Sequence, residues 1–356
     1  MFETFEVESS IKNYKVLIEK GSVHNFINDK SFFIIDSHVY DLWPSINIKE
    51  CIKIDAKESN KSLKIVSEVI KNLKDSGANR SSEILAIGGG ITQDLSTFCA
   101  STFMRGISWV YVPTTLLGMT DSCIGGKSSI NVGRYKNIIG NYYPPEIVVV
   151  DTNFCKTLTT QQLLEGLFEA VKISYAHSEF RFEKHISYVN HTQDLYCLDF
   201  EKIVFNSLIS KKEIIEEDEF DEGIRLLLNF GHTFGHALEG ASRFEISHGV
   251  AVGLGMIAAF NLSVSLNLIQ EENIKARKLI NHLYYLLEMI EGLGYLVNNI
   301  DMKVAYNNFK FDKKHLEDVF FMILFDNEGK LIRHKVNKNV ANEILIINSF
   351  ESLKTL

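Results

Sequence analysis

No C-x-x-C pair occurs in the 356 residues, and five cysteines stand apart at positions 51, 99, 123, 155 and 197. An odd, scattered set gives no disulfide framework, so reduced thiols in a cytoplasmic protein are expected. A positive charge balance is missing too: 45 acidic against 37 basic residues leave a net charge of −8. That argues against nonspecific nucleic-acid binding while leaving room for a local basic pocket. The N-terminus, MFETFEVESSIKNYKVLI, lacks a basic leader followed by an apolar stretch, and it does not read as a signal peptide. The most apolar run, Val250 to Leu268, is broken by Gly253, Gly255, Asn261, Ser263 and Ser265. A buried helix is expected there rather than a membrane span. Neither an internal repeat nor a low-complexity segment is found.

What remains is an ordinary globular composition, 46% apolar and 23% charged, long enough for about two domains. The first half alternates short apolar strands with helices. Strands are expected at Tyr14–Glu19, Phe32–Ile35, Ile52–Ile54, Ile84–Ile87, Trp109–Val112 and Ile147–Val150. Between them, an apolar stripe predicts a helix over Lys61–Leu73, and another is expected over Thr92–Phe103. This alternation predicts a parallel sheet with helices on both faces over residues 1–152. Beyond that point the pattern becomes mainly helical, and residues 153–356 are expected to form a second domain. In the tail, strands around a hairpin at Asn327-Glu328-Gly329 are expected within Val319–Ile347.

Ligands of parallel sheets gather at the carboxyl ends of the strands. Gly88-Gly89-Gly90 lies at one such end and opens a helix, where free N–H groups and a positive dipole suit a pyrophosphate. Gln93 breaks the G-x-G-x-x-G spacing, so a plain tight turn is an equal reading. Asp94 could serve only to balance the helix dipole. The segment Arg105–Asn137 sets Arg105, Asp121, Lys127, Arg134, Lys136 and Asn137 among glycines and small hydroxyl residues. Cations so interleaved, rather than laid on a helix stripe, suit a phosphate or carboxylate nest better than a solvated loop.

In the second half, Thr159–Tyr175 predicts a helix carrying Glu165, Glu169 and Lys172, the last two on one face. Phe200–Glu217 predicts another, bearing Lys211, Lys212 and Glu213. The acidic turn Glu216–Glu222 that follows reads as solvated surface. The densest stretch is Leu226–Gly249, LLLNFGHTFGHALEGASRFEISHG. His232 and His236, four apart, project from one helix face, with Arg225 and Asn229 on the same helical approach and His248 following. Core or solvated histidines are the bland reading; the cluster favours a metal and polar-substrate site. A carboxylate joining two histidines would complete an open three-ligand centre, and by spacing either Glu165 or Glu169 could supply it.

Taken together, these motifs resemble those of the 3-dehydroquinate synthases and their relatives among the sugar phosphate cyclases, from about Glu58 to Lys314. They are GGG-x-x-x-D (88–94), MRG (104–106), PTTLL (113–117), DS-x-x-GGK (121–127), KN-x-x-G (136–140), the E-x-x-K of Glu169 and Lys172, R-x-x-x-N-x-x-H-x-x-x-H (225–236) and His248-Gly249. The resemblance implies an α/β N-terminal dinucleotide-binding domain and a mainly α-helical metal- and substrate-binding domain. NAD and a divalent metal, zinc or else cobalt, would be bound. Glu169, chosen over Glu165 by the resemblance, would hold the metal with His232 and His248. His236 would contact substrate and assist proton transfer. Asp36, Glu58, Lys61, Gly88, Gly89, Gly90, Asp94, Thr114, Thr115, Asp121, Ser122, Lys136 and Thr157 would line the NAD site. Arg105, Lys127, Asn137, Lys172, Lys211, Arg225 and Asn229 would surround the sugar phosphate, together with Lys313 or Lys314.

The reaction implied belongs to the shikimate pathway of aromatic amino acid biosynthesis. In it, 3-deoxy-arabino-heptulosonate 7-phosphate becomes 3-dehydroquinate by transient oxidation, β-elimination of phosphate, re-reduction and intramolecular aldol closure. Arg225, Asn229 and Lys211 suit a substrate carboxylate, favouring this seven-carbon acid over sedoheptulose 7-phosphate. Departures from the family pattern at Thr92-Gln93, Cys123 and Val250, and the segments 132–135 and 142–145, keep a specialised cyclase for a heptulose or amino-sugar phosphate as an alternative. A different class, an NAD- and metal-dependent polyol dehydrogenase, would leave the many phosphate-suited cations unexplained. A homodimer is expected from the family alone.

Overall fold

The structure is a computed structural model that describes residues 3–28, 31–46, 48, 50–133, 135–189, 192–311 and 315–355. In chain order the strands and α-helices are β1 (Glu3–Val7), β2 (Tyr14–Ile18), β3 (Ser31–Asp36), α1 (Ser37–Leu42), β4 (Ile52–Ile54), α2 (Leu63–Asp75), β5 (Glu83–Gly88) and α3 (Gly90–Thr102). Next come β6 (Ser108–Pro113), β7 (Ile130–Val132), β8 (Tyr135–Ile139), β9 (Ile147–Val150), α4 (Thr160–His177), α5 (Glu179–Val189) and α6 (Phe200–Glu217). The remainder is α7 (His232–Ala241), α8 (His248–Ser265), α9 (Ile274–Leu287), α10 (Leu293–Asn298), α11 (Met302–Lys310), β10 (Val319–Phe325), β11 (Leu331–Asn337) and α12 (Val340–Glu351). Two compact units result, Met1–Gly166 with Tyr196–Glu219, and Leu167–Leu195 with Phe220–Leu356, a division that no single cut along the chain reproduces.

The first unit is built on a seven-stranded sheet in the order β1-β2-β9-β6-β5-β3-β4. Only β1 pairs antiparallel, against β2; every other neighbour is parallel. β5 and β6, in the middle, are buried along nearly their whole length. Their apolar runs without alternation are what a strand covered on both faces requires. α2 begins at Leu63 rather than Lys61 because the Ser62 side chain caps it, accepting from the Ile65 N–H. α3 starts earlier than expected, at Gly90, directly after the strand end. The strand expected at Trp109–Val112 is β6, and the rest of the 105–137 stretch adds a wide helical turn at Gly118–Ser122 and the β7–β8 hairpin.

The second unit is organised by the approach of α7 to α8. A Cβ placed on Gly255 of α8 would lie 2.0 Å from the Gly231 carbonyl oxygen, and one on Gly235 would lie 2.9 Å from the Ala251 oxygen. Glycine at these points lets the two backbones touch. Gly231 also supplies the left-handed turn (φ 77°) that starts α7. Here the expectation of one helical approach is corrected. Arg225 and Asn229 lie on a separate 3-10 turn, Ile224–Asn229, which Phe230 and Gly231 divide from α7. α8 is apolar and long enough by composition to cross a membrane, yet it is the buried core helix of this unit. Around it, Phe325 packs edge-on against Tyr175, Phe230 and Phe260.

The β10–β11 hairpin turns at Asn327-Glu328-Gly329 as expected, with Phe325 opposite Leu331. Residues 340–347 correct the reading of the tail: they are helical rather than strand. The Asn339 side chain accepts from the Asn342 N–H and caps α12 there, ending the extended chain.

Candidate active site

His232 is the first residue of α7 and His248 the first of α8. The close approach of these helices therefore sets the two imidazoles side by side, with ring centroids 5.3 Å apart. Glu169, on α4 and completely buried, faces both: its Oε1 lies 3.8 Å from His232 Nε2 and 3.7 Å from His248 Nε2. That oxygen accepts no hydrogen bond. The far ring nitrogens are engaged elsewhere. His232 Nδ1 lies 3.3 Å from the Phe230 carbonyl, and His248 Nδ1 lies 3.2 Å from Glu239 Oε2. An acceptor at Nδ1 fixes the proton there and turns the Nε2 lone pair toward Glu169, the arrangement of a metal-ligating histidine.

Donors about 2.0–2.2 Å from a tetrahedral metal sit roughly 3.3–3.5 Å from one another. The observed 3.7 and 3.8 Å need only a small contraction to satisfy that. Two imidazoles and one carboxylate are also the donor mix of open zinc sites. By both tests the residues fit a divalent metal. His236, one turn along α7, completes a group of three histidines, one ring nitrogen from each lying within 4.8 Å of the other two. It is exposed where Glu169 is buried.

Charges around this centre are balanced locally. Lys172, 2% exposed, forms an ion pair with Glu169 Oε2 one turn along α4. At His248, burial opposes the charged ring, but the Glu239 hydrogen bond and the Glu239 and Glu169 carboxylates outweigh it and raise the pKa. Of the remaining expected substrate residues in this unit, Arg225 is 4% exposed and Asn229 donates to the Leu226 carbonyl at 3.2 Å. Lys313 and Lys314 lie outside the described residues.

In the first unit the expected cofactor residues fall at the carboxyl ends of neighbouring strands. Asp36 ends β3, Gly88 ends β5 and runs into Gly89 and Gly90 of the α3 start, and Thr114 and Thr115 follow β6. A Cβ on Gly88 would meet Thr92 at 2.6 Å, and one on Gly89 would meet Thr115 at 3.0 Å, whereas at Gly90 the space is open. Asp36 also caps α1, its carboxylate accepting from the His38 N–H, and burial raises its pKa.

A polar network joins several others. Lys61, after β4, is 6% exposed; it pairs with Asp94 of α3 and donates to Asn137 Oδ1 at 2.7 Å. Asp94 further accepts from Ser129 N–H and Oγ at 2.8 and 3.0 Å. Burial still pushes its carboxyl above the usual range, against the pull of Lys61 and Ser129. Glu58 accepts from Asn131 at 2.8 Å and lies 4.0 Å from Lys136. Asn137 holds a left-handed φ of 53° on β8.

Lys211 of α6 reaches the Gly118–Ser122 turn, bonding Asp121 Oδ1 at 2.9 Å and the Ile124 carbonyl at 3.1 Å. Thr157 accepts from Trp43 Nε1 at 3.2 Å. Arg105 and Lys127 are exposed, the former with φ 68° and the latter 5.9 Å from the Tyr142 ring.

Some participants had no signal in the sequence. Glu239 sits three residues beyond His236 in an ordinary helical pattern, and the Phe230 carbonyl carries no residue signature at all. Gln93, noted only as a departure from a glycine pattern, forms a reciprocal pair with Ser122: Nε2 donates to the Ser122 carbonyl at 2.7 Å and Oε1 accepts from Ser122 Oγ at 2.6 Å. Cys123 is buried, which pushes its thiol up to about 12 and leaves it inert as a nucleophile.

Known proteins of the same plan bear on this geometry. The family model described as 3-dehydroquinate synthase N-terminal matches residues 51–165, and its C-terminal counterpart matches residues 166–315. A 3-dehydroquinate synthase of Clostridium tetani is 37% identical over 328 residues, covering 87% of this chain and 83% of its own. One from Saccharolobus solfataricus is 33% identical, covering 86% and 88%. Among solved structures, a 2-deoxy-scyllo-inosose synthase complexed with carbaglucose-6-phosphate, NAD+ and Co2+ superposes with a TM-score of 0.81 at 25% identity, covering 96% of this chain and 99% of its own. The histidine and carboxylate centre, the strand-end polar network and matches running through both units agree, and the chain belongs to the 3-dehydroquinate synthase family.

Proposed function

We propose that this protein converts 3-deoxy-arabino-heptulosonate 7-phosphate to 3-dehydroquinate, releasing phosphate and closing the ring, as a carbon–oxygen lyase. The observation that carries the reading is the pair of Nε2 atoms turned on the buried Glu169 Oε1 at 3.7–3.8 Å, in a chain of this family. Glu169, His232 and His248 would hold the metal, zinc or cobalt. Bound there, a divalent ion would polarise a substrate oxygen. Asp36, Gly88, Gly89, Gly90, Thr114 and Thr115, at the carboxyl ends of β3, β5 and β6, would hold NAD, which would supply a reversible oxidation that acidifies the neighbouring C–H without net NADH.

The chain's own residues account for the rest. His236, exposed beside the two ligand histidines, is proposed to move a proton at the substrate. Lys172 balances the Glu169 charge and offers an ammonium at the same place. Arg225 and Asn229 in the second unit and Lys211 in the first suit a carboxylate; Arg105, Lys127 and Asn137 in the first unit suit phosphate and hydroxyl groups. Positioned donors of this kind stabilise charge as phosphate departs, and the phosphate oxygens can accept the proton themselves.

The test is phosphate release by purified protein with NAD and zinc, comparing the seven-carbon keto acid phosphate with sedoheptulose 7-phosphate and identifying products by mass. Release from the first, with no NADH accumulating, supports the proposal. Release from the second alone makes the protein a specialised cyclase and removes the carboxylate role from Arg225 and Asn229. NADH accumulation without phosphate would instead indicate a dehydrogenase.

A further inference from the structure

Gln93 has no part in the proposed reaction, yet it is buried in the first turn of α3, just past Gly88-Gly89-Gly90. Its amide grips Ser122 twice, donating to the backbone carbonyl at 2.7 Å and accepting from Oγ at 2.6 Å. Ser122 is the last residue of the wide turn Gly118–Ser122, in which the Cys123 N–H donates to the Gly118 carbonyl at 3.1 Å. Helical turns widened in this way recur at functional sites. Its near end is held by Thr115, whose Oγ1 accepts from the Gly118 N–H at 3.1 Å, and Lys211 pairs with Asp121 within it. Gln93 therefore ties the far end of this turn to the start of α3, next to the strand-end glycines.

The double contact also fixes where the protons are. A backbone carbonyl can only accept, so the amide nitrogen must face it. The amide oxygen then faces Ser122 Oγ and takes the single proton that a hydroxyl has to give. Among the described residues Ser122 Oγ has no other partner, and the residue is only half-buried. What the hydroxyl still presents is lone pairs. An ionised phosphate oxygen, itself an acceptor, gains nothing from such a group, whereas an O–H or N–H donor does.

We infer that Gln93 is a positioning residue that fixes Ser122 Oγ as a hydrogen-bond acceptor for a donor of the bound dinucleotide, a ribose hydroxyl or the carboxamide N–H, and not for its pyrophosphate. The inference rests on the proposed function, which puts NAD at these strand ends. The bland alternative is a buried glutamine that staples a turn to a helix without bearing on the cofactor. Both readings predict some loss of stability when Gln93 is replaced, so affinity decides between them.

The experiment titrates the zinc-loaded full chain with NAD, without substrate. Gln93→Met keeps the side-chain volume and removes both hydrogen bonds, and Ser122→Ala removes the hydroxyl alone. Each should raise the Kd for NAD by about tenfold, the worth of one hydrogen bond. Because Gln93 acts through Ser122, the double variant should bind NAD within about twofold of Ser122→Ala. The acetylpyridine analogue of NAD, with a methyl ketone in place of the carboxamide, separates the two donors. A loss confined to NAD supports the carboxamide N–H, and an equal loss with both supports a ribose hydroxyl.

An unchanged Kd in Gln93→Met, with wild type binding NAD, overturns this inference alone. So does tighter binding, which would mean that the freed hydroxyl donates to a phosphate, and so do fully additive losses in the double variant, which would show a purely structural role. Wild type that binds NAD but releases no phosphate from the keto acid phosphate overturns the proposed reaction and leaves this inference standing. Wild type that binds no NAD overturns both.

Discussion

Replacing Glu239 tests whether the histidine centre is a metal site at all, because Glu239 meets His248 at Nδ1 and not at the Nε2 that faces Glu169. Its Oε2 lies 3.2 Å from His248 Nδ1, the ring nitrogen pointing away from Glu169. That contact orients the imidazole and raises the basicity of Nε2. Changes to such partners typically cost about 10–100-fold in metal affinity. Glu239→Gln keeps an oxygen able to accept from Nδ1–H but removes the charge, and a neutral hydrogen bond has roughly half the strength of a charged one. A loss of about tenfold, near 1.4 kcal/mol, is therefore expected for Gln. Glu239→Ala removes the acceptor and should approach about 100-fold. The assay is competition for zinc against a chelator of known affinity, followed at constant pH, with thermal unfolding of the metal-free protein as control. Wild-type zinc affinity in both variants would refute the reasoning, since a ring without its partner would then bind as well as one with it.

Three further outcomes are expected. His232→Ala should abolish zinc binding and phosphate release while NAD affinity, measured by titration, stays at the wild-type value; retained zinc and turnover would remove His232 from the ligand set. Gly255→Ala should destabilise by about 3 kcal/mol or more in denaturant unfolding, because its Cβ would lie 2.0 Å from the Gly231 oxygen and overpacked helix contacts cannot relax freely; a neutral result would contradict the close approach of α7 and α8. The third concerns acid stability. His185 is fully buried with neither ring nitrogen hydrogen-bonded, and burial, with His282 beside it at 5.4 Å, holds its pKa well below the ordinary value. The unfolded chain then takes up a proton that the folded chain refuses, so stability falls as pH drops below about 6.5, by as much as about 1.4 kcal/mol per pH unit. His185→Phe should flatten that slope, and an unaltered slope would assign the acid sensitivity to other groups.

Much of the architecture was legible because its causes are local. Ile52–Ile54, Ile147–Val150 and Phe200–Glu217 occupy the expected residues, since a strand or helix buried along one face must write its period into the chain. Gly88-Gly89-Gly90 could be placed at a strand end for the same reason. Misjudged boundaries trace to single side chains. Asn339 caps α12 and turns residues expected in a strand into a helix, and Gly231 separates Asn229 from the helix of His232. Propensity is summed over a window, whereas a cap or a left-handed residue acts at one position and overrides it.

The sequence by itself determined the donor types: three histidines at fixed spacing, a carboxylate on a neighbouring helix and a family's order of motifs. Spacing alone could not choose between Glu165 and Glu169, because both lie on one helix and nothing local says which turn meets α7 and α8. Tertiary packing made Glu169 the carboxylate that faces His232 and His248, through glycines at 231, 235 and 255 that let two helix backbones touch. Only the fold could supply Glu239 to His248 and Gln93 to Ser122. Each of these contacts joins residues from different elements, or from different turns of chain, and a contact set by packing leaves no period in the sequence to be read.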